Sequence, residues 1–478
     1  MKYEDTYFLN AEEALKVASQ QNRWGENNYY LQVCYYEGEK IDSDLPNLIH
    51  LPIENLVEGL AYGRHRIPEV LNFDGLELSS DIKLNVLVNF NLSIKQAQGY
   101  RTQLNQQYLH SIQNLKLNFD ETLRVYLSAS TSTRVMQYVS KNIAEAFAQK
   151  GCEVLYDLYY GTEDQSNMKR LLDFNPHVTI NINHLNNRVI NQACFNFVWY
   201  QDAMPALTDN SPMYIRDRDY ILSYHTMLEK FLHHKGVPQE KIFDFKIIPV
   251  NTNQFYLDES VEREDKVVFV GTYYQNMYPN YIDDEIDKKL KALLESGDYL
   301  SQDSLEQIFD KYLFNLPSSK RFVNDIRQSY IRNTCVSWLC ENSSKKVEIY
   351  GYNWEKSNDK NIIERFKGKV DPSELNGVYN SAKYVLSASG GVINTQRLGE
   401  LVHAGAIPIV YDSRGITDED KTWDDECLYF KTKEELHYIL ANNIKPKKYR
   451  DKEMLDYFTY KEFLNIVFTQ IEKKIGEK

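Results

Sequence analysis

The sequence predicts an α/β protein. Two Rossmann-like domains face each other across a cleft, an α+β extension precedes them, and a helical insertion interrupts the second. Three observations carry this prediction. Apolar strand-like runs alternate with helical periodicity from residue 122 onward. A polar, acidic stretch without periodicity, "NTNQFYLDESVERED" (251–265), interrupts that alternation once. The length of 478 residues exceeds what one hydrophobic core accommodates. Strands alternating with helices imply parallel sheets covered on both faces.

Residues 1–117 read as the extension, with polar segments and short strand-like runs such as "KLNVLVNFNL". Residues 118–250 form the first domain. It opens on the strand "TLRVYLSAS" and a helix with Val135, Val139, Ile143, Ala146 and Phe147 on its apolar stripe. Ser132 or Thr133 caps that helix, and Gly151 sits where a terminating glycine belongs. Strands follow in "CEVLYDLYY", "HVTININH", "FNFVWYQDAMP" and "DYILS". Residues 251–265 are the linker. Residues 266–445 form the second domain, beginning with the strand "KVVFVGTYYQN" and carrying the helical insertion over 281–342. Later strands read from "KVEIYGYNW", the stretch around "NIIERF", "YVLSAS" and "AIPIVYD"; residues 446–478 are a terminal helical segment.

Composition excludes several classes. The net charge of −13 argues against general affinity for nucleic acid. The N-terminus lacks the apolar core of a signal peptide, and no apolar run reaches the ~18 residues of a membrane span. A cytoplasmic protein is expected, with peripheral membrane association left open. The six cysteines form no CxxC pair and read as reduced core thiols.

The stretch "SASGGVINTQRLGELVHAGAIPIVYD" (387–412) carries the most chemistry. Gly390 and Gly391 permit a close backbone approach. A helix starting near Asn394 presents free N–H groups and a positive dipole end, which suit a diphosphate. Leu398, Leu401 and Val402 form its apolar stripe, and Gly405 ends it. Glu400 falls on the polar face, with Arg397 one turn before it and His403 one turn after. A carboxylate there suits ribose hydroxyls; the plainer reading is a turn plus a Glu400–Arg397 pair.

Several pieces together resemble the donor-binding domain of GT-B glycosyltransferases, closest to the spore-maturation-type and group 1 bacterial branch. They are "FKGKV" (366–370), "ELNGVYNSAK" (374–383), "NTQRLGE" (394–400), "AGAIPIV" (404–410) and "VVFVGTYY" (267–274). "LYFKTKEELHYIL" resembles the late strand and helix of that domain, and "FVWYQDAMP" and "IPVNTNQF" are similar in the first half. The resemblance spans residues 122–475. It implies Glu400 as a ribose ligand, with Asn394, Thr395 and the neighbouring backbone as the diphosphate-binding helix start. It also implies Gly271 as the turn after the first strand and Val370 as the backbone that reads the nucleobase. Retaining members often carry a glutamate eight positions before the ribose glutamate. Val392 stands there, which leaves the stereochemistry open. Arg397 or Lys345 would supply the positive charge of the donor pocket.

The expected activity is transfer of a sugar from a nucleotide-diphosphate sugar to a polysaccharide, glycolipid or protein acceptor such as flagellin. The donor is a co-substrate, and neither a metal nor another cofactor is expected. Candidates for the general base are Asp202 and His184, each just past a strand end of the first domain, and His225, at the start of a helix. A sugar-nucleotide isomerase and a non-catalytic binding or assembly protein are the competing readings. The acidic triplets "DSD" (42–44) and "DRD" (217–219) read as solvated loops, and "HH" (233–234) as a helix end.

Overall fold

The computed structural model describes the chain apart from residues 1–5, 23–32, 36–47, 53–54, 63–66, 69, 131–133, 160–165, 202–203, 209–210, 224–225, 245–247, 275–277, 279, 314–318, 342–343, 392, 416–420 and 477–478. The chain divides into two units. One comprises Met1–Ser223, Phe231–Asp244 and Val467–Lys478; the other comprises Tyr224–Lys230 and Phe245–Ile466.

The first unit opens with β1 (Thr6–Phe8), α1 (Ala11–Asn22), β2 (Val33–Tyr35), β3 (Leu48–His50), α2 (Leu56–Tyr62), β4 (Val70–Asn72) and α3 (Ser80–Asn114). The four strands form a parallel sheet in the order β3-β2-β1-β4. "KLNVLVNFNL", expected as strand-like, lies inside α3 instead. Ser79 caps that helix, its hydroxyl accepting from Ile82 N at 3.4 Å. Phe90, Ile94, Ala97 and Arg101 are buried at helical spacing. That periodicity outweighs the β-propensity of the valines.

The first Rossmann-like sheet follows. Its elements are β5 (Arg124–Ser130), α4 (Arg134–Gln149), β6 (Glu153–Tyr159), α5 (Ser166–Phe174), β7 (Val178–Ile182), β8 (Phe195–Tyr200), α6 (Pro205–Thr208), β9 (Asp219–Ser223), α7 (Thr226–His234) and β10 (Ile242–Asp244). The strand order is β10-β9-β8-β7-β5-β6, all parallel. Val139, Ile143 and Phe147 are buried on α4, and Gly151 has φ +83°. Polar side chains inside the central strands satisfy one another. Thr179 Oγ1 and Asn181 Nδ2 both donate to Asn196 Oδ1 at 2.9 Å, and Asn196 Nδ2 donates to Asp219 Oδ1 at 3.2 Å. Asp219 corrects the expectation of a solvated "DRD" loop. It is fully buried and holds the equally buried Arg216 through Nε at 2.9 Å and Nη2 at 2.7 Å. Asp217 is exposed, as are His233 and His234 in the last turn of α7. "DSD" lies outside the described residues.

The second Rossmann-like sheet belongs to the other unit. It runs β11 (Glu264–Val270), α8 (Asp284–Glu295), α9 (Gln302–Leu313), α10 (Ser319–Glu341), β12 (Lys346–Tyr350), α11 (Lys360–Arg365), β13 (Phe366–Gly368), α12 (Leu375–Asn380), β14 (Ala382–Ser387) and α13 (Gln396–His403). Then come β15 (Ile407–Tyr411), β16 (Leu428–Phe430), α14 (Lys433–Ala441), α15 (Lys452–Tyr457) and α16 (Tyr460–Gly476). The strand order is β13-β12-β11-β14-β15-β16, again parallel. The insertion is helical. Leu290, Leu294, Phe309 and Phe322 from α8–α10 join Phe269 of β11 in one buried cluster. "NIIERF", expected as a strand, is helix α11 up to Arg365, because Asp359 caps it by accepting from Asn361 N at 2.9 Å. The polar stretch 251–265 is fastened to its own unit: Tyr256 N donates to Asn376 Oδ1 at 3.1 Å and Asp258 N to Asn380 Oδ1 at 2.9 Å. Among the described residues no helix is long and apolar enough to cross a membrane.

Candidate functional site

In a parallel sheet of this kind ligands sit beyond the carboxyl ends of the strands. At that end of β11 the chain turns through Gly271. Gly271 N donates to Tyr350 O at 2.9 Å, and its carbonyl accepts from Trp354 Nε1 at 2.7 Å. A Cβ on Gly271 would stand 2.8 Å from the Phe269 ring, so the turn requires glycine. Gly351, with φ +134°, lies tighter still: a Cβ there would meet Gly271 O at 1.9 Å. Gly351 N in turn donates to Gly368 O at 2.9 Å. The ends of β11, β12 and β13 are thus drawn together, with Val370 two residues beyond β13.

Helix α10 holds the turn from the side. Asn333 Nδ2 donates to Tyr274 O at 2.7 Å, and the Arg332 guanidinium lies over the Tyr274 ring at 4.4 Å. Arg332 Nη1 reaches Thr272 O at 3.4 Å, while its Nε is buried with no hydrogen-bond partner. Burial, then the neighbouring Arg397, hold this guanidinium below the usual arginine range. Arg332 was not singled out from the sequence. It is one of three arginines in α10, and nothing local separates it from Arg321 and Arg327; its place against β11 is decided by the insertion.

Helix α13 supplies the other wall. Arg397 Nη1 donates to Val270 O at 2.5 Å. Glu400 Oε1 accepts from Gln396 Nε2 at 2.9 Å. Burial raises the Glu400 carboxyl to about 7, against the opposing pull of Arg397 and of the Gln396 hydrogen bond. Tyr379 of α12 is buried beside both groups; burial pushes its phenol up to about 12. Thr395 Oγ1, at the start of α13, is buried without a partner. The structure therefore brings Gly271, Thr395, Arg397 and Glu400 to one end of the sheet, with Arg332 added.

Other expectations are corrected. The N-cap of α13 is Thr395, not Asn394. Asn394 is fully buried, and its Oδ1 accepts from Trp423 Nε1 at 3.0 Å. Gly390 and Gly391 pack against α10. Gly390 N donates to Gln328 Oε1 at 3.1 Å, and a Cβ on Gly390 would stand 2.9 Å from Arg327 O. The Gly390 N–H is therefore occupied within the fold. His403 is buried rather than on a polar face; its ring nitrogens lie 2.8 Å from Gly399 O and 3.1 Å from Leu455 O. Lys345 lies at the opposite, amino end of the sheet, bound to Asp265 and to Asn443 Oδ1 at 2.6 Å. Of the candidate bases, His184 is exposed just beyond β7, whereas Asp202 and His225 lie outside the described residues, as does Val392.

Residues 327–454, from α10 to α15, match the family model for glycosyl transferase-like proteins. That segment contains Arg332, Arg397 and Glu400. No curated protein sequence matches the chain. Among solved structures, a sucrose-phosphate synthase from Thermosynechococcus elongatus aligns at 10% identity and TM-score 0.45, covering 74% of this chain and 99% of its own. The apo form of the lipopolysaccharide outer core galactosyltransferase WaaB aligns at 10% identity and TM-score 0.40, covering 73% and 100%. A glycosyltransferase from Rickettsia africae ESF-5 aligns at 10% identity and TM-score 0.40, covering 72% and 98%. The matched segment lies in the unit that carries the second Rossmann-like parallel sheet, and that segment is similar to glycosyl transferase-like proteins.

Proposed function

We propose that the protein transfers a glycosyl group from a nucleotide-diphosphate sugar to a hydroxyl of a glycan, glycolipid or protein acceptor. One observation carries the donor half of this reading. Two guanidiniums, Arg332 and Arg397, converge with the start of α13 beside the Gly271 turn, and Arg332 Nε has no partner. A diphosphate is the ligand that supplies the missing acceptors. Glu400 lies one turn into α13, where a ribose hydroxyl is within the reach of such a carboxylate.

In the transfer, the bond from the anomeric carbon to the diphosphate oxygen breaks as the bond to the acceptor oxygen forms. The diphosphate leaves with the electron pair, and the acceptor proton passes to a base among His184, Asp202 and His225. Fixed positive groups stabilise the charge that builds on the leaving diphosphate, which is the role of Arg332, Arg397 and the helix start in a metal-independent reaction. Val370, beyond β13, offers backbone groups for the nucleobase. The free buried thiols Cys194, Cys335, Cys340 and Cys427 fit a cytoplasmic setting.

The test is thermal unfolding against a panel of sugar nucleotides and bare nucleoside diphosphates. A ligand at a hundredfold over its Kd adds about 2.7 kcal/mol of stability. At least one nucleoside diphosphate is expected to shift the wild-type protein, and Glu400→Ala to reduce that shift. A panel that leaves the wild type unmoved removes the donor site.

A further inference from the structure

Helix α3 shows two faces. Phe90, Ile94, Ala97 and Arg101 are buried, Arg101 Nε donating to Leu60 O at 2.5 Å. The opposite face exposes Leu84 by 60%, Val88 by 49% and Leu92 by 60%, flanked by Leu87 at 38%. These three lie at i, i+4 and i+8, one continuous apolar line. Asp81 and Lys95, both exposed, extend the line at its two ends. The spacing 81-84-88-92-95 runs 3-4-4-3 and reads the same in either direction about Val88. Further along that face Gly99 has open space around its α-carbon.

We propose that this face pairs with the same face of a second copy of the chain, antiparallel, about a two-fold axis passing beside Val88. An isologous contact must be self-complementary. In this register Val88 meets Val88 of the second copy, Leu84 meets Leu92, and Asp81 meets Lys95. A parallel, in-register pair would instead set Asp81 against Asp81 and Lys95 against Lys95. The seam spans fifteen residues, about 21 Å of helix from the first α-carbon to the last. A single helix pair falls at the small end of specific interfaces, below about 1,200 Å² in total, so association belongs in the micromolar range. A membrane surface suits the face less well: a helix that lies on lipid carries several Lys or Arg at its flanks, and this line carries one acid and one base.

Sedimentation velocity on the full chain between about 1 and 100 µM tests the proposal. A reversible monomer–dimer equilibrium is expected. Val88→Glu places two carboxylates at the axis and should leave the chain monomeric throughout. Asp81→Lys and Lys95→Asp should each weaken the dimer at least about threefold, and the double reversal should restore it. All three positions are exposed, so an unchanged thermal midpoint is expected and certifies the variants as folded. A wild-type monomer at the top concentration overturns the proposal, as does a Val88→Glu dimer or a double reversal that restores nothing. Binding to anionic vesicles that Val88→Glu abolishes, with no dimer in solution, assigns the face to lipid and likewise overturns it.

Discussion

Arg397, in the first turn of α13, donates from Nη1 to the carbonyl of Val270 at 2.5 Å. This bond ties the helix carrying Glu400 to the last residue of β11, and so fixes the two walls of the candidate donor site against each other. Arg397→Ala is expected to cost about 1–3 kcal/mol in urea unfolding, because the carbonyl loses a charge-assisted partner. It should also weaken nucleoside diphosphate binding by about tenfold or more. Arg397→Lys should recover stability better than affinity, since an ammonium cannot present two N–H groups side by side. Equal recovery of both would assign Arg397 a purely structural role.

Arg332 should behave differently. Its guanidinium lies in a partly buried place beside another arginine, with Nε unpartnered. Removing it relieves an unfavourable charge, so Arg332→Ala should leave the unfolding midpoint within about 1 kcal/mol of wild type. Calorimetric titration should show the Kd for a nucleoside diphosphate rising by about ten- to a hundredfold while that for the bare nucleoside stays fixed. Equal losses for both ligands would move Arg332 away from the phosphates.

Glu400 gives stability a pH signature. Its carboxyl is raised from 4.5 to about 7 in the folded protein. The folded state therefore holds a proton that the unfolded chain has released, and stability falls as pH rises from about 4.5 through 7. The penalty is absent below that window and complete above it. Because the side chain keeps some solvent contact, roughly 1–2 kcal/mol is expected, less than the full shift implies. Glu400→Gln should match the wild type near pH 4 and exceed it near pH 8, as measured by chemical denaturation. A constant difference across that range would show that the carboxyl does not titrate there.

Gly351 tests the drawing together of β11 and β12. A methyl group at this position meets Gly271 O at 1.9 Å on a backbone with φ +134°. Gly351→Ala should cost more than about 3 kcal/mol or prevent soluble expression. Gly377→Ala is the control: nothing lies within 4 Å of its Cβ position. It should be neutral within about 0.5 kcal/mol. A tolerated Gly351→Ala would mean that the strand ends stand further apart.

Local pattern determined much of this protein. Helical spacing in α4, the terminating Gly151 and the apolar runs of β7, β8, β11 and β14 are properties of short segments, legible because amphipathic periodicity and turn chemistry act within a few residues. The stretch 387–412 was likewise readable as a strand, loop and helix, and its Glu400 and Arg397 do stand at the carboxyl end of the sheet. What sequence could not decide was which polar groups the fold uses up. Asn394 has the chemistry of a cap, yet Trp423, 29 residues on, takes its side chain. Gly390 has a free N–H on paper, and Gln328 from α10 takes it. Asp219 reads as a surface acid until Arg216 and Asn196 enclose it. Arg332 had no local mark at all; the insertion sets it over Tyr274. Each of these outcomes depends on a partner distant in sequence or on burial. Burial is set by the packing of whole elements, and only the tertiary structure decides which of several chemically able residues is left facing a ligand.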